Sequence, residues 1–187
     1  MKSCLKLLVA SFLVSLLFTG GAWALPIDQG HTVTMYGYGD HYKMVYEDGT
    51  AYNTFCVEDE KIFYSGSTYY VESVVGTNDD VEWLYASYWE GDFGTHDANL
   101  EETVQNAIWY ALGQIAEATD YDSLVGETED FTVYGWDIKV VNLSDKNLEK
   151  DYQSQLTGVR VPEPATLFLL GTGLLGLVGL SRRKFKK

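Results

Sequence analysis

Cysteine is the side chain most able to do chemistry in this 187-residue sequence, and it occurs only as Cys4 and Cys56. Cys4 lies in an N-terminal segment that is predicted to be removed, so Cys56 would be the single thiol of the mature protein. A single cysteine has no internal disulfide partner, and its thiol is therefore buried and inert, bridged to another molecule, or reactive. A Cys–His hydrolase would pair Cys56 with His31, His41 or His96, but no local protease signature surrounds Cys56.

Two short motifs combine Cys56 with a glutamine. Residues 55–58 (FCVE) end a predicted strand, and residues 104–109 (VQNAIW) lie on a predicted helix. In this order they resemble the signature of the Cys–Gln thioester domains of bacterial surface adhesins. That signature has an aromatic residue, cysteine, an apolar and a polar residue on a strand. It continues with an apolar residue, glutamine, a polar residue and an apolar run ending in tryptophan on a helix.

The resemblance implies that the Cys56 sulfur acylates onto the Gln105 side chain with loss of ammonia, giving an internal thioester. Sulfur suits this reaction because it is the nucleophile that forms the bond and later the leaving group. Phe55, Trp83 and Trp109 would form an apolar surround that keeps water from the thioester. An amine on a partner would then attack the Gln105 carbonyl, so the protein would be a covalent binding module and not an enzyme.

A second interpretation stays open, in which Cys56 is a buried, inert hydrophobe and Gln105 an ordinary helix residue. The protein would then be a non-catalytic structural component of an extracellular matrix. Tyrosine and tryptophan are abundant and would also suit a sugar-binding face, although they more often form core and sheet pairs. The partner would thus be a surface protein or a polysaccharide.

Other chemistry finds less support. The acidic pairs Asp79-Asp80 and Asp120/Asp122 have ligand oxygens for Ca²⁺, but no EF-hand pattern surrounds them. We therefore predict no metal and no cofactor. A glycosidase needs only two suitably spaced carboxylates. The sequence has many acidic residues, and their positions in the sequence do not single out such a pair.

The charge distribution excludes nucleic acid as a partner. Residues 25–161 contain 6 Lys and Arg against 26 Asp and Glu, a formal charge of −20, whereas the whole chain carries −14. Such a surface repels phosphate backbones and anionic glycans. The abundance of aromatic and β-branched residues argues against disorder in this acidic segment.

The elements that must position Cys56 and Gln105 are mostly strands. Strands are predicted at residues 31–38, 42–47, 51–58, 61–64, 68–75 and 131–143, with Asp48-Gly49 as a tight hairpin turn. Residues 144–158 are predicted to be a polar connector. The fold class is therefore β-rich (α+β), a sandwich-like or barrel-like ectodomain with about two inserted helices.

Apolar spacing predicts the two helices. Val81, Leu84, Tyr85 and Tyr88 mark a short amphipathic helix. The longer helix covers residues 100–118, with Asn99 as its N-cap and Glu102 completing a capping box.

Both ends of the chain are predicted to be processing segments. Residues 1–24 combine two lysines, an apolar stretch and the small residues Ala22 and Ala24, which indicates a secretory signal peptide cleaved after Ala24. A short membrane helix is the alternative interpretation of this segment. The ectodomain would then occupy residues 25–158.

Residues 159–187 contain Pro162-Glu163-Pro164, an apolar stretch at 165–180 and a basic end. The stretch would form a transmembrane helix of about 24 Å, short against a hydrocarbon core of roughly 30 Å. These parts, in this order, resemble the PEP-CTERM sorting signal of Gram-negative bacteria. The resemblance implies export by the secretion machinery and transient single-pass anchoring in the inner membrane. It also implies recognition by an exosortase, cleavage near the Pro-Glu-Pro motif and transfer to the cell surface or extracellular matrix.

Overall fold

Six antiparallel strands close into a barrel, in the order β1-β2-β3-β6-β5-β4 and back to β1. The structure is a computed structural model that describes residues 25–38, 41–126, 131–161 and 172–173. Its strands are β1 (Thr32–Tyr38), β2 (His41–Tyr46), β3 (Ala51–Cys56), β4 (Ser67–Val75), β5 (Trp136–Ser144) and β6 (Gln155–Arg160). The barrel confirms the prediction of a β-rich, barrel-like fold.

Three helices lie among the described residues between β4 and β5 in the chain, one more than the two predicted there. They are α1 (Asp79–Glu90), α2 (Ala98–Ala111) and α3 (Thr119–Val125). Strands β3, β5 and β6 pack one face against these helices through Phe55, Ile138, Val140 and Leu156. The opposite face of the sheet fills the barrel with a second core that includes Met35, Met44, Tyr52, Val71 and Leu143.

The turn between β2 and β3 forms as the Asp48-Gly49 pair predicts. Gly49 has a φ of 87°, a left-handed conformation that glycine adopts without steric cost. The Thr50 backbone N–H donates to Asp48 Oδ1 at 2.7 Å and so orders the turn. This hairpin sets the register between β2 and β3, and Cys56 is the last residue of β3.

The prediction for the long helix was wrong at both ends. Asp97, and not Asn99, caps α2, since its side chain accepts from the Leu100 N–H at 2.8 Å. The helix ends at Ala111, and Gly113 follows with a φ of 72°, which breaks the helical path before α3 begins. Apolar spacing that continued past Gly113 concealed this break.

The predicted connector at residues 144–158 was also wrong, because it contains the start of β6. Two of the inward-facing residues of β6, Gln155 and Thr157, are polar yet fully buried. The Thr157 hydroxyl donates to the Asn53 carbonyl at 3.1 Å, and Gln155 accepts from the Thr54 hydroxyl at 2.8 Å. Polar residues therefore close the barrel, and β6 runs to Arg160, two residues beyond the predicted ectodomain.

Two smaller strand predictions differ from the structure. Residues 61–64 are not a strand, and β5 begins at Trp136 and not at 131. In the part of the chain that is described, no helix has the length and apolarity to cross a membrane. The predicted signal cleavage residues Ala22 and Ala24 lie outside the described residues, as does the predicted span at 165–180 except for 172–173.

Candidate functional site

Cys56 and Gln105 are neighbours, joined by two hydrogen bonds across 49 positions of sequence. The Cys56 backbone N–H donates to Gln105 Oε1 at 2.8 Å. Gln105 Nε2 donates in turn to the Cys56 carbonyl at 2.7 Å. The side-chain amide of Gln105 is therefore held against the backbone of the cysteine.

At the end of β3, strand β2 no longer pairs with the backbone of Cys56, which can therefore bond to Gln105. The ladder between β2 and β3 ends at the pair Tyr42↔Thr54, two residues before Cys56. On its other side Cys56 pairs with Gln155 of β6. Gln105 thus makes, from helix α2, the two hydrogen bonds that a neighbouring strand would make.

The segment after Cys56 is anchored to the start of β6. The Glu58 carboxylate accepts from the Ser154 backbone N–H at 2.7 Å and from the Ser154 hydroxyl at 3.0 Å. Gln153 Nε2 donates to the Glu58 carbonyl at 2.6 Å. These contacts fix the segment that follows Cys56 against the start of β6.

Both members of the pair are buried, with exposed fractions of 3% for Cys56 and 8% for Gln105. Burial raises the pKa of the Cys56 thiol to about 12. A hydrogen bond from the Gln155 side chain opposes this shift, whereas the charges of Glu58 and Glu101 add to it. At neutral pH the thiol is therefore protonated.

A cavity of about 510 Å³ opens over Gln105. Its lining combines acids, amides and aromatic side chains, namely Tyr42, Ala98, Asn99, Glu101, Glu102, Gln105, Asn106 and Trp109. Burial raises the pKa of the Tyr42 phenol, and the charges of Cys56 and Glu101 raise it further. The cavity has room for a small polar group beside Gln105.

The three aromatic residues predicted to surround the pair have different places. Trp109 lines the cavity beside Gln105. Phe55 lies on the opposite face of β3 and packs against Tyr88 of α1, with ring centroids 5.1 Å apart. Trp83 contacts Phe93 and lines a different cavity, so the structure does not bring it to the pair.

Sequence reasoning missed three residues near the pair: Tyr42, Glu101 and Gln155. Glu101 is only 6% exposed, although it stands in the first turn of α2, where acids are usually solvated. Its position four residues before Gln105 was the available signal, because residues so spaced share a helix face.

His31 and His96 do not support a Cys–His site. His31 Nδ1 lies 2.7 Å from Glu47 Oε1 at an exposed position. His96 stacks on Tyr88 with ring centroids 4.4 Å apart. Neither His31 nor His96 lines the cavity over Gln105.

Among residues 25–38, 41–126, 131–161 and 172–173, no group of three His, Cys, Asp or Glu residues could hold a metal ion. The acidic pairs considered for Ca²⁺ make other contacts. Asp80 accepts from the Tyr121 hydroxyl at 3.0 Å, and Asp120 accepts from Asn106 Nδ2 at 2.8 Å.

Comparison with known proteins identifies the C-terminal segment. Residues 160–184 match the family model described as the PEP-CTERM protein-sorting motif. This match supports an exported protein that is anchored transiently in a membrane and sorted by an exosortase. The motif residues Pro162, Glu163 and Pro164 fall within it but outside the described residues. No curated protein and no solved structure gives a significant match, so the resemblance to thioester domains gains no support there.

Proposed function

We propose that the ectodomain of this exosortase-sorted protein couples covalently to amines on a surface partner, through an internal thioester between Cys56 and Gln105. The observation that carries the proposal is the pair of hydrogen bonds between the Gln105 amide and the Cys56 backbone. They hold the reacting carboxamide beside the residue that bears the thiol. Cleavage of the sorting signal would then place this module at the cell surface or in the matrix.

The hydrogen bond from the Cys56 N–H suits the first step. Attack of the Cys56 sulfur on the Gln105 side-chain carbon moves negative charge onto Oε1, which this N–H faces at 2.8 Å. A backbone donor fixed in this way stabilises the developing oxyanion. This attack forms the S–C bond. Collapse of the intermediate then breaks the C–N bond and releases the nitrogen as ammonia with the former thiol proton.

The cavity suits the second step. Glu101 and Glu102 give it negative charge, which attracts the ammonium end of a lysine side chain. Once deprotonated, the amine would attack the Gln105 carbonyl, form an amide bond and release the thiol of Cys56. The strong burial of the pair would protect the thioester from water before this event.

The same two hydrogen bonds also favour a second candidate. In a non-catalytic matrix protein they would only satisfy buried backbone groups at the end of β3 and attach α2 to the barrel. Cys56 would then be an inert buried thiol, as its burial allows.

Mass spectrometry of the full-length protein separates the two candidates. Trypsin cleaves at Lys61, between Cys56 and Gln105, so a thioester would join two otherwise separate peptides. The joined species should be lighter than the sum of its parts by about 17 Da, the mass of ammonia, and Cys56→Ala should abolish it. Methylamine should separate the peptides and leave a methylated Gln105 amide. If the wild-type protein gives two unmodified and unjoined peptides, the thioester is refuted and the protein is a non-catalytic matrix component.

A further inference from the structure

We propose that Glu101 is the proton-transferring residue of the Cys56–Gln105 site, accepting the thiol proton of Cys56 and delivering it to the departing amide nitrogen of Gln105. This inference rests on the proposed thioester and assigns the acid–base step that its formation requires.

Glu101 is placed for this function by helix α2. It precedes Gln105 by four residues, and both belong to the buried face of the helix. Both also line the cavity of about 510 Å³. Glu101 is only 6% exposed, which is unusual for a glutamate. Removing a carboxylate from water costs free energy unless the group is paired or hydrogen-bonded.

Glu101 is within electrostatic range of the Cys56 thiol and of the cavity wall. Its charge contributes to the raised pKa of Cys56 and to that of Tyr42, so the carboxylate acts on the thiol and on the cavity wall. It also stands in the first turn of α2, at the N-terminal end of the helix, where the backbone dipole attracts negative charge.

The chemistry of Cys56 requires such a group. With a pKa of about 12, the thiol stays protonated at neutral pH and is a weak nucleophile until a base removes the proton. The Glu101 carboxylate would accept that proton as the S–C bond forms. The resulting carboxylic acid would donate it to the nitrogen as the C–N bond breaks, which releases ammonia and restores the carboxylate. In coupling, the same group would move a proton from the partner amine to the Cys56 sulfur.

Glu117 provides a control of the same residue type, because it is exposed, follows α2 in the chain and does not line the cavity. The full-length wild-type protein, Glu101→Gln and Glu117→Gln should be purified in parallel, and the fraction lacking about 17 Da followed with time. We expect Glu101→Gln to form the thioester about 100-fold or more slowly, which is the usual contribution of general acid–base catalysis, and Glu117→Gln to match the wild type. Loss of ammonia at the wild-type rate in Glu101→Gln would overturn the assignment and leave the thioester standing. No mass loss in the wild type would overturn both.

Chemical rescue separates proton transfer from a structural contribution. Glu101→Ala creates space beside the cavity, and added formate should restore part of the mass loss, whereas chloride at the same ionic strength should not. Circular dichroism should first show that the variants retain the wild-type fold. Folded Glu101→Ala that forms the thioester without formate would contradict the proposal.

Discussion

The side-chain amide of Gln105 lies along the backbone of Cys56 as a neighbouring strand would, with one hydrogen bond of 2.8 Å and one of 2.7 Å. A helix residue thus completes the edge of a barrel strand just beyond the last pair of β2 and β3. The contact satisfies the buried backbone N–H and C=O of Cys56 whichever function the pair performs. Its contribution to the free energy of unfolding can therefore be measured.

Removing the Gln105 amide should destabilise the fold even where no thioester can form. In a Cys56→Ala background, Gln105→Ala leaves the N–H and C=O of residue 56 without their partner. Each of these two unsatisfied buried groups costs about 1–3 kcal/mol, so we expect the free energy of unfolding to fall by roughly 2–6 kcal/mol. Denaturant titration measures the change, and Glu102→Ala in the same background should stay within about 0.5 kcal/mol. Equal losses in the two variants would show that these hydrogen bonds contribute nothing specific.

The alternation of apolar and polar residues was enough to predict most of β1 to β4, and Asp48-Gly49 fixed the hairpin that places Cys56. The same criterion failed at β6, because Gln155 and Thr157 are polar residues facing the barrel interior. Their hydrogen bonds to Thr54 and Asn53 come from β3, about 100 positions earlier in the chain. No local pattern reveals a partner at that distance.

The candidate site was predictable only in part, for a related reason. The two motifs identified Cys56 and Gln105, and the structure brings them together. Glu101 stands in the first turn of α2, where acids are usually solvated, and only the packing of α2 on the barrel shows that it is buried. Trp83 has the right residue type but contacts Phe93 and Phe131 away from the pair.

Where Cys56 is a free thiol, it should react slowly with iodoacetamide and without a plateau near pH 8.5. Burial raises its pKa to about 12, so the thiolate fraction should rise about tenfold per pH unit from pH 7 to 11. Methylamine-treated protein provides the free thiol if a thioester forms, and mass spectrometry follows alkylation. Denatured protein is the control and should level off near pH 8.5–9. A plateau in that range for the folded protein would refute the raised pKa.

Folding stability should also fall in alkali because of the same shift. A folded-state pKa above the unfolded value means that stability is fully present below about pH 8.5 and declines as pH rises toward 12. Each such group contributes a slope of about 1.4 kcal/mol per pH unit in this window. Cys56→Ala should therefore show a shallower decline than protein with a free Cys56 thiol when unfolding is measured from pH 8 to 11. Parallel declines would exclude Cys56 as a contributor.

Gly158 should not tolerate a methyl group. Its N–H donates to the Tyr85 hydroxyl at 3.0 Å, and that hydroxyl donates to the Asn53 carbonyl at 3.0 Å, which ties α1 to β3 and β6. A Cβ at residue 158 would lie 2.8 Å from Ile138 Cγ1 and 3.1 Å from the Asp137 carbonyl oxygen. We expect Gly158→Ala to lose about 1–3 kcal/mol of stability, measured by thermal unfolding. Gly76→Ala is the matched control, because a Cβ there has no atom within 4 Å; similar melting temperatures would contradict this close packing.

Sorting should depend on the three residues Pro162, Glu163 and Pro164 within the matched segment 160–184. The adjoining apolar stretch is short for a permanent anchor, and cleavage near the motif would release the ectodomain from the membrane. Replacing the three residues by alanine should therefore keep the protein in the membrane fraction of cells that contain an exosortase. Alanines at the exposed residues Lys146, Asn147 and Glu149 should leave sorting unchanged. Fractionation with an antibody to the ectodomain measures both. Release of the motif variant at the wild-type level would show that sorting does not depend on these residues.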